Sequence, residues 1–548
     1  MGFIMEMGTS PIMKLSLLFL GLIVFIAGRR RSRRLLEPPR LNEAIPFVSN
    51  AWHFMTNKRL FIERVTDALA ASTIVQCRLG PMNIYLVTGN SNVSAIFRSS
   101  FSSDPWVMRI LEHSGAYALA DLTKFATDKS GGARLPRADG RAKPLALEER
   151  IWHAKHRLHD EALINTRSVI ALSAAFQRFF GERLAAFPVG EWVDDVRISA
   201  FLRNNMATAA TRAALGSRIL EINPDFVEAF WEYEKYVEPL AFGLPHWLNR
   251  RAVRSRDRFR TMCLKWYEIA NREFHCDGTS SYEGVDWEPI FGSQISRGLA
   301  QWVKSFDFAS ESIGGVYALF MFGLQSNTIA ICTWVMMEII RDSNLYREIK
   351  EEVSQAEVIN DSDEVAFNLQ ELVSKPLLQS VYTEALRVHV SILITRTSTE
   401  PVTIGGYQLQ AGSVFQAPSH VAHFDEATWG TADRPASDFW AYRHIREVET
   451  IDATGHIKKK REFSMMGRGG SFFPYGGGIS ICAGRAFAKN EVLLAVAMMV
   501  SNFDVEFIEW VNPNGSRSDR PARDHTGYGN GIAAPPDRDM KLSWRRTR

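Results

Sequence analysis

The segment from Ile313 to Arg341, IGGVYALFMFGLQSNTIAICTWVMMEIIR, is apolar on nearly every face of a helix. Such a helix is buried either inside a large protein or in a membrane. At 548 residues and 46% hydrophobic, the chain is long enough to bury it in a core of its own. Four polar residues, Gln325, Ser326, Asn327 and Thr328, interrupt its middle. They are either satisfied within that core or face a cavity.

A second apolar run, Ile12 to Ala27, is followed at once by basic residues from Arg29 to Arg34. The run is at the short end of what spans a bilayer, and the positive-inside rule places the rest of the chain on the cytosolic side. A cleaved signal peptide would carry its charge before the apolar run. Residues 1–36 are therefore expected to form a single-pass transmembrane anchor, and residues 37–548, which open on the stiff linker EPPRLNEAIPF, one domain. With 64 basic and 61 acidic residues, the chain has no global field that would draw it onto nucleic acid. Its five cysteines are odd in number and widely spaced, so they form no disulfide or zinc framework.

The pattern from Glu148 to Phe274 is mainly helical, and Ile74 to Thr88 reads as two short strands around a Gly-Pro turn. Asp128–Lys143 and Thr450–Gly470 read as exposed loops, and the closing MKLSWRR as an edge strand. The expectation is a mainly α fold with small β-sheets.

FFPYGGGISICAGRAFAKNEVLLAVAMM, Phe472 to Met499, sets Cys482 at the mouth of an apolar helix behind a loop with little side chain. Free N–H groups at a helix start stabilise a thiolate and lower its pKa, which suits a nucleophile or a metal ligand. On this segment alone a buried structural cysteine is another reading. A cysteine protease would need the same helix and a base, but not the glycines Gly476 to Gly478 or the aromatic pair Phe473 and Tyr475. A haem iron with a proximal thiolate uses both, since a bare loop can lie against a porphyrin.

This loop resembles the cysteine-ligand loop of the cytochrome P-450 family, F-x-x-G-x-R-x-C-x-G, aligned as Tyr475, Gly478, Ser480, Cys482 and Gly484. Tyr475 replaces Phe, and Ser480 replaces an Arg that would meet a haem propionate. The other family motifs follow in order. EALR supplies Glu384 and Arg387, and FWAYRH supplies Arg443, for the family's buried ion network. ERIWHAKHR is similar to the W-x-x-x-R/H helix, implying Trp152 and His156 as propionate contacts, with Arg396 in LITRTSTE as a further one. LQSNT aligns Asn327 with the family's acid and Thr328 with its threonine, the pair that relays protons to iron-bound dioxygen. QSNTIAICTW is similar to the bile-acid and oxysterol 7α-hydroxylase and prostacyclin synthase branch, which has Asn there.

The resemblance implies the P-450 fold and a monooxygenase of fungal specialised metabolism with haem b on the Cys482 thiolate. NADPH would act only through a partner reductase, with cytochrome b5 as a further partner. The implied site is the endoplasmic reticulum membrane, with the catalytic domain cytosolic. By position in the family, Phe322, Gln325, Val390, Ile392 and Ile532 would face a lipophilic substrate such as a terpenoid, sterol or polyketide. The alternative is a haem-thiolate isomerase or dehydratase that needs no reductase.

Overall fold

The computed structural model describes residues 37–137, 145–274, 285–359, 365–451, 457–528 and 532–548. The anchor expected within residues 1–36 lies outside them. About 53% of the chain is helical, with several small sheets, the expected fold class. The longest helix, Ser310–Arg341, runs through the largest core cluster, and 22 of its residues are buried. Among the described residues it is the one helix long and apolar enough to cross a membrane, yet 72% of its most apolar window lies inside the protein. Burial within the chain's own core explains its all-round apolarity.

Neighbouring helices close around it. Ile198–Leu215 presents a stripe of small residues, Ala207, Ala210 and Ala214, all fully buried. Arg485–Asn502, the helix after Cys482, buries everything from Glu491 to Ser501. Pro376–His389 starts with Pro at its first turn, where the missing N–H costs nothing, and buries Glu384 and Arg387.

The expected hairpin is present as Ile74–Leu79 and Met82–Val87, joined by a turn in which Gly80 has φ +58°. It belongs to a five-stranded sheet, followed across by Val414–Pro418, Leu393–Ser398 and Phe101–Ser102. This sheet carries the second and third core clusters and delivers Ile392, Ile394 and Arg396 to the site described below.

Three local expectations are corrected. The C-terminal strand Asp539–Arg546 is internal, because Phe503–Val511 pairs with one edge and Trp192–Arg197 with the other. Its inward residues Met540, Leu542 and Trp544 are almost fully buried, and Trp544 packs edge-on against Phe187 and Phe201. Thr450–Gly470 is not simply a loop. Ile445–Ile451 and Ile457–Phe463 form an antiparallel hairpin in which Glu447 lies opposite Arg461 and Glu449 opposite Lys459. Cross-strand charge pairing makes a strand of a sequence that reads as polar loop. In the described part of Asp128–Lys143, Asp128 and Ser130 are buried, because Arg150 reaches in to donate to Ser130 Oγ at 2.9 Å and to the Arg134 carbonyl at 2.8 Å.

Candidate functional site

A cavity of about 390 Å³ opens between the long helix and the cysteine loop. Leu319, Phe320, Gly323, Leu324, Asn327 and Thr328 line it from the helix, and Pro474, Tyr475, Gly476, Cys482 and Gly484 from the loop. Leu386, Val390, Ile392, Ile394 and Arg396 close a third side. Gly323 is the exposed residue of an otherwise buried stretch, and a Cβ there would meet nothing within 4 Å. The helix is therefore bare where it borders the cavity that also holds the Cys482 sulfur.

Cys482 is exposed and stands three residues before Arg485, the first residue of the helix Arg485–Asn502. Its backbone N–H donates to the Tyr475 carbonyl at 3.0 Å, which folds the loop back under the sulfur. Shielding by neighbouring atoms raises the pKa of the free thiol, against the Gly484 and Arg485 N–H groups and the Arg485 guanidinium, which lower it. This reverses the expected lowering, because desolvation outweighs the helix end. Gly478 has φ +66°, and its pro-Cβ position lies 2.3 Å from the Phe97 carbonyl oxygen. That glycine serves the loop's own packing and does not line the cavity. The Tyr475 hydroxyl, where the family has Phe, contacts the Tyr382 hydroxyl, a partner that the sequence reading missed.

The ion network assembles as expected, behind the loop. Glu384 accepts from Arg387 at 2.9 and 2.8 Å and from Arg443 Nε at 2.8 Å, and the three side chains are fully buried. His444 Nε2, 3.1 Å from Glu384, is a member that the sequence reading missed. Burial works to raise the Glu384 pKa, but the hydrogen bonds from Arg387 and His444 and their charges hold it well below the usual carboxylate range. Arg387 also donates to the His423 carbonyl at 2.8 Å, and His423 Nε2 accepts from the Phe473 N–H at 3.2 Å. Burial, with the nearby Arg387 charge, lowers the His423 pKa to about 3, so the ring stays neutral and keeps that acceptor. The network thus reaches the loop that carries Cys482.

A second cavity, of about 410 Å³, adjoins the first at His159, Ser480 and Ala483. Trp152, Lys155, His156 and Arg137 line it. His156 Nε2 contacts the Ile479 carbonyl at 2.7 Å. Trp152 Nε1–H is committed to the Phe125 carbonyl at 3.0 Å, so its indole offers an aromatic wall, not the expected donor. Arg396, which lines the first cavity, donates to the Gly477 carbonyl at 3.1 Å, and burial lowers its pKa to about 10. Burial also lowers the pKa of Lys155, and that of His159 to about 4. Desolvated bases along one edge suit an incoming anion, which would restore their charged forms. Ser480 meets Ser103 Oγ at 2.9 Å in place of the expected Arg contact. Sulfur, a bare helix face and a basic edge together fit a flat dianionic macrocycle such as haem. Lys155 and His159 lie on the same helix, Ile151–Leu163, as Trp152 and His156 but match no position of the W-x-x-x-R/H motif, so no local signal singles them out.

Val390 and Ile392 line the cavity as expected, whereas Phe322, Gln325 and Ile532 do not. Gln325 Nε2 donates to Thr211 Oγ1 at 2.8 Å and to the Ala207 carbonyl at 3.2 Å, so the side chain belongs to the helix interface. Phe322 packs against the main core. Ile532 is buried, but its neighbour Ala533 makes the contact with the site, donating its N–H to Asn327 Oδ1 at 2.7 Å. Thr328 Oγ1 donates to the Leu324 carbonyl at 3.1 Å, so its hydroxyl is held at the cavity wall.

The family model described as Cytochrome P450 matches residues 194–519. Cytochrome P450 monooxygenase calL of Penicillium decumbens is 40% identical over 513 residues, covering 93% of both chains. Cytochrome P450 monooxygenase fsoE of Humicola fuscoatra is 25% identical over 513 residues, covering 88% of this chain and 85% of its own. Cytochrome P450 7A1 of Oryctolagus cuniculus is 25% identical over 547 residues, 95% of each chain. Fold, site and these similarities agree: the chain belongs to the cytochrome P-450 family.

Proposed function

We propose that this protein is a haem-thiolate monooxygenase that inserts one oxygen atom of O2 into a lipophilic small molecule, and that the Cys482 thiolate would hold the iron of haem b. The observation that carries this reading is the Cys482 sulfur in one cavity with the bare Gly323 surface and the Thr328 hydroxyl. Held by a thiolate, a haem supplies the reductive activation of dioxygen, in which two electrons and two protons release one oxygen atom as water while the other enters a C–H bond.

The chain's own residues do the rest. Arg396, Lys155, His156 and His159 would hold the two carboxylates of the macrocycle, and the Trp152 ring lines the same basic cavity. Leu324, Val390, Ile392 and Ile394 form apolar walls that hold a lipophilic substrate and exclude water. Thr328 keeps a hydroxyl proton at Oγ1, at the cavity wall. The terpenoid, sterol and polyketide classes all suit these walls, and the fungal sources of the relatives support a place in specialised metabolism.

The electrons come from NADPH through a separate reductase, with cytochrome b5 as a further donor. Residues 37–548 act as one catalytic domain on the cytosolic face of the endoplasmic reticulum, tethered by residues 1–36. Two exposed apolar groups support membrane contact: Trp52 at 63% exposure with Phe47 and Val48, and Trp247 at 68% with Leu248. The Phe54 ring packs on the Phe242 ring at 5.5 Å, so the chain segments that carry the two groups meet.

Incubation of the membrane-bound enzyme with NADPH, reductase and extracts of a host lacking it, under ¹⁸O2, tests the activity. The expected product is heavier than its precursor by one labelled oxygen and requires the reductase. A product of unchanged mass formed without reductase would instead establish the isomerase alternative.

A further inference from the structure

We infer that Asn327 is a positioning residue that ties the C-terminal segment 532–534 to the wall of the substrate cavity and so helps set which ligands fit. The inference rests on the reading of that cavity as the substrate site.

Asn327 lines the cavity, and its Oδ1 accepts the Ala533 backbone N–H at 2.7 Å. Ala533 also bridges Val390, which lines the same cavity from the Pro376–His389 side. The next residue is held from both neighbouring helices: the Ala534 N–H donates to the His389 carbonyl at 3.0 Å, and Trp334 Nε1–H donates to the Ala534 carbonyl at 2.8 Å. The Trp334 and His389 rings stack at 3.9 Å with 1° between their planes, and His389 Nδ1 lies 2.7 Å from Asp524 Oδ1. Asn327 therefore supplies the tether nearest the cavity in a set that otherwise lies behind it.

The chemistry of the residue fits that task. A carboxamide oxygen accepts an N–H without bringing a charge to this half-buried position. A buried amide N–H that loses its acceptor is costly, so the main chain of Ala533 follows the Asn327 side chain. Because Val390 and Ala533 are bridged, movement at Ala533 alters the cavity wall.

The test uses the haem-loaded full chain and two variants, Asn327→Ala, which removes the acceptor, and Asn327→Asp, which keeps one. Hydrogen exchange of the peptide from Ile532 to Met540 is expected to quicken about tenfold at the Ala533 amide in Asn327→Ala and to return toward wild type in Asn327→Asp. The visible-spectrum titration with imidazole, a small iron ligand, is expected to be unchanged in Asn327→Ala, while the dissociation constant of clotrimazole, a bulky azole, shifts about tenfold and is rescued by Asn327→Asp. Exchange that Asn327→Ala leaves at the wild-type rate overturns the tether. Faster exchange with both azoles unaffected overturns the role in specificity. If neither azole shifts the wild-type spectrum, the cavity reading itself fails, whatever the exchange shows.

Discussion

Glu384→Gln is expected to destabilise the protein by about 3–5 kcal/mol, the range for removing one partner of a fully buried ion pair. Glu384 accepts from Arg387, Arg443, the Trp440 N–H at 3.1 Å and His444. Glutamine keeps the shape but presents an NH2 group where donors converge, and it leaves two buried guanidinium groups without a counter-charge. Their other acceptors are backbone carbonyls, including His423, Ala436 and Asp438 for Arg387, so relaxation would pull on the chain that leads to Phe473. The effect is read as a lower denaturation midpoint at unchanged slope, together with faster haem loss. The exposed pair Arg59–Glu63 is the contrast: Arg59→Ala is expected to change stability by no more than about 0.5 kcal/mol. A loss below about 1 kcal/mol for Glu384→Gln would show that the network does not hold the loop.

Gly478→Ala is expected to disrupt the cysteine loop while Gly484→Ala is tolerated. At Gly478 the left-handed backbone alone costs an L-residue about 1–2 kcal/mol. The added methyl would also sit 2.3 Å from the Phe97 carbonyl oxygen, and a backbone atom cannot rotate away as a side chain can. The short turn Gly478–Ser480 would have to move, and Cys482 follows two residues later. At Gly484 a Cβ meets only Cys482 Sγ, at 3.9 Å, with φ at −74°. The melting temperature should fall for Gly478→Ala and stay near wild type for Gly484→Ala. Equal behaviour of the two would show that the left-handed turn is not what fixes the sulfur.

Features that depend on local spacing were legible in the sequence. The long helix announced itself by all-round apolarity, and Glu384 with Arg387 by the resemblance of EALR to a short family motif. What escaped depends on partners far along the chain. Asp539–Arg546 looks like an edge strand until Trp192–Arg197, more than 300 residues earlier, supplies its second neighbour. Gln325 and Asn327 are polar residues two apart on one apolar helix, and nothing local says that the first turns to Thr211 and the second to Ala533. His444 joins Glu384 because the Ala441 backbone packs over Ser380, whose hydroxyl also accepts the His444 N–H at 3.2 Å. The charged hairpin after Ile445 was missed because cross-strand charge pairing leaves no apolar alternation to detect.

The central claim, that the Cys482 sulfur holds the haem iron, is tested most directly by the absorption spectrum of the reduced carbon monoxide complex in the wild type and in Cys482→His. The account predicts the red-shifted Soret band of a thiolate-ligated haem in the wild type, replaced in the variant by the band of a nitrogen-ligated haem. A nitrogen-type band in the wild type, or a thiolate-type band that survives Cys482→His, would contradict it.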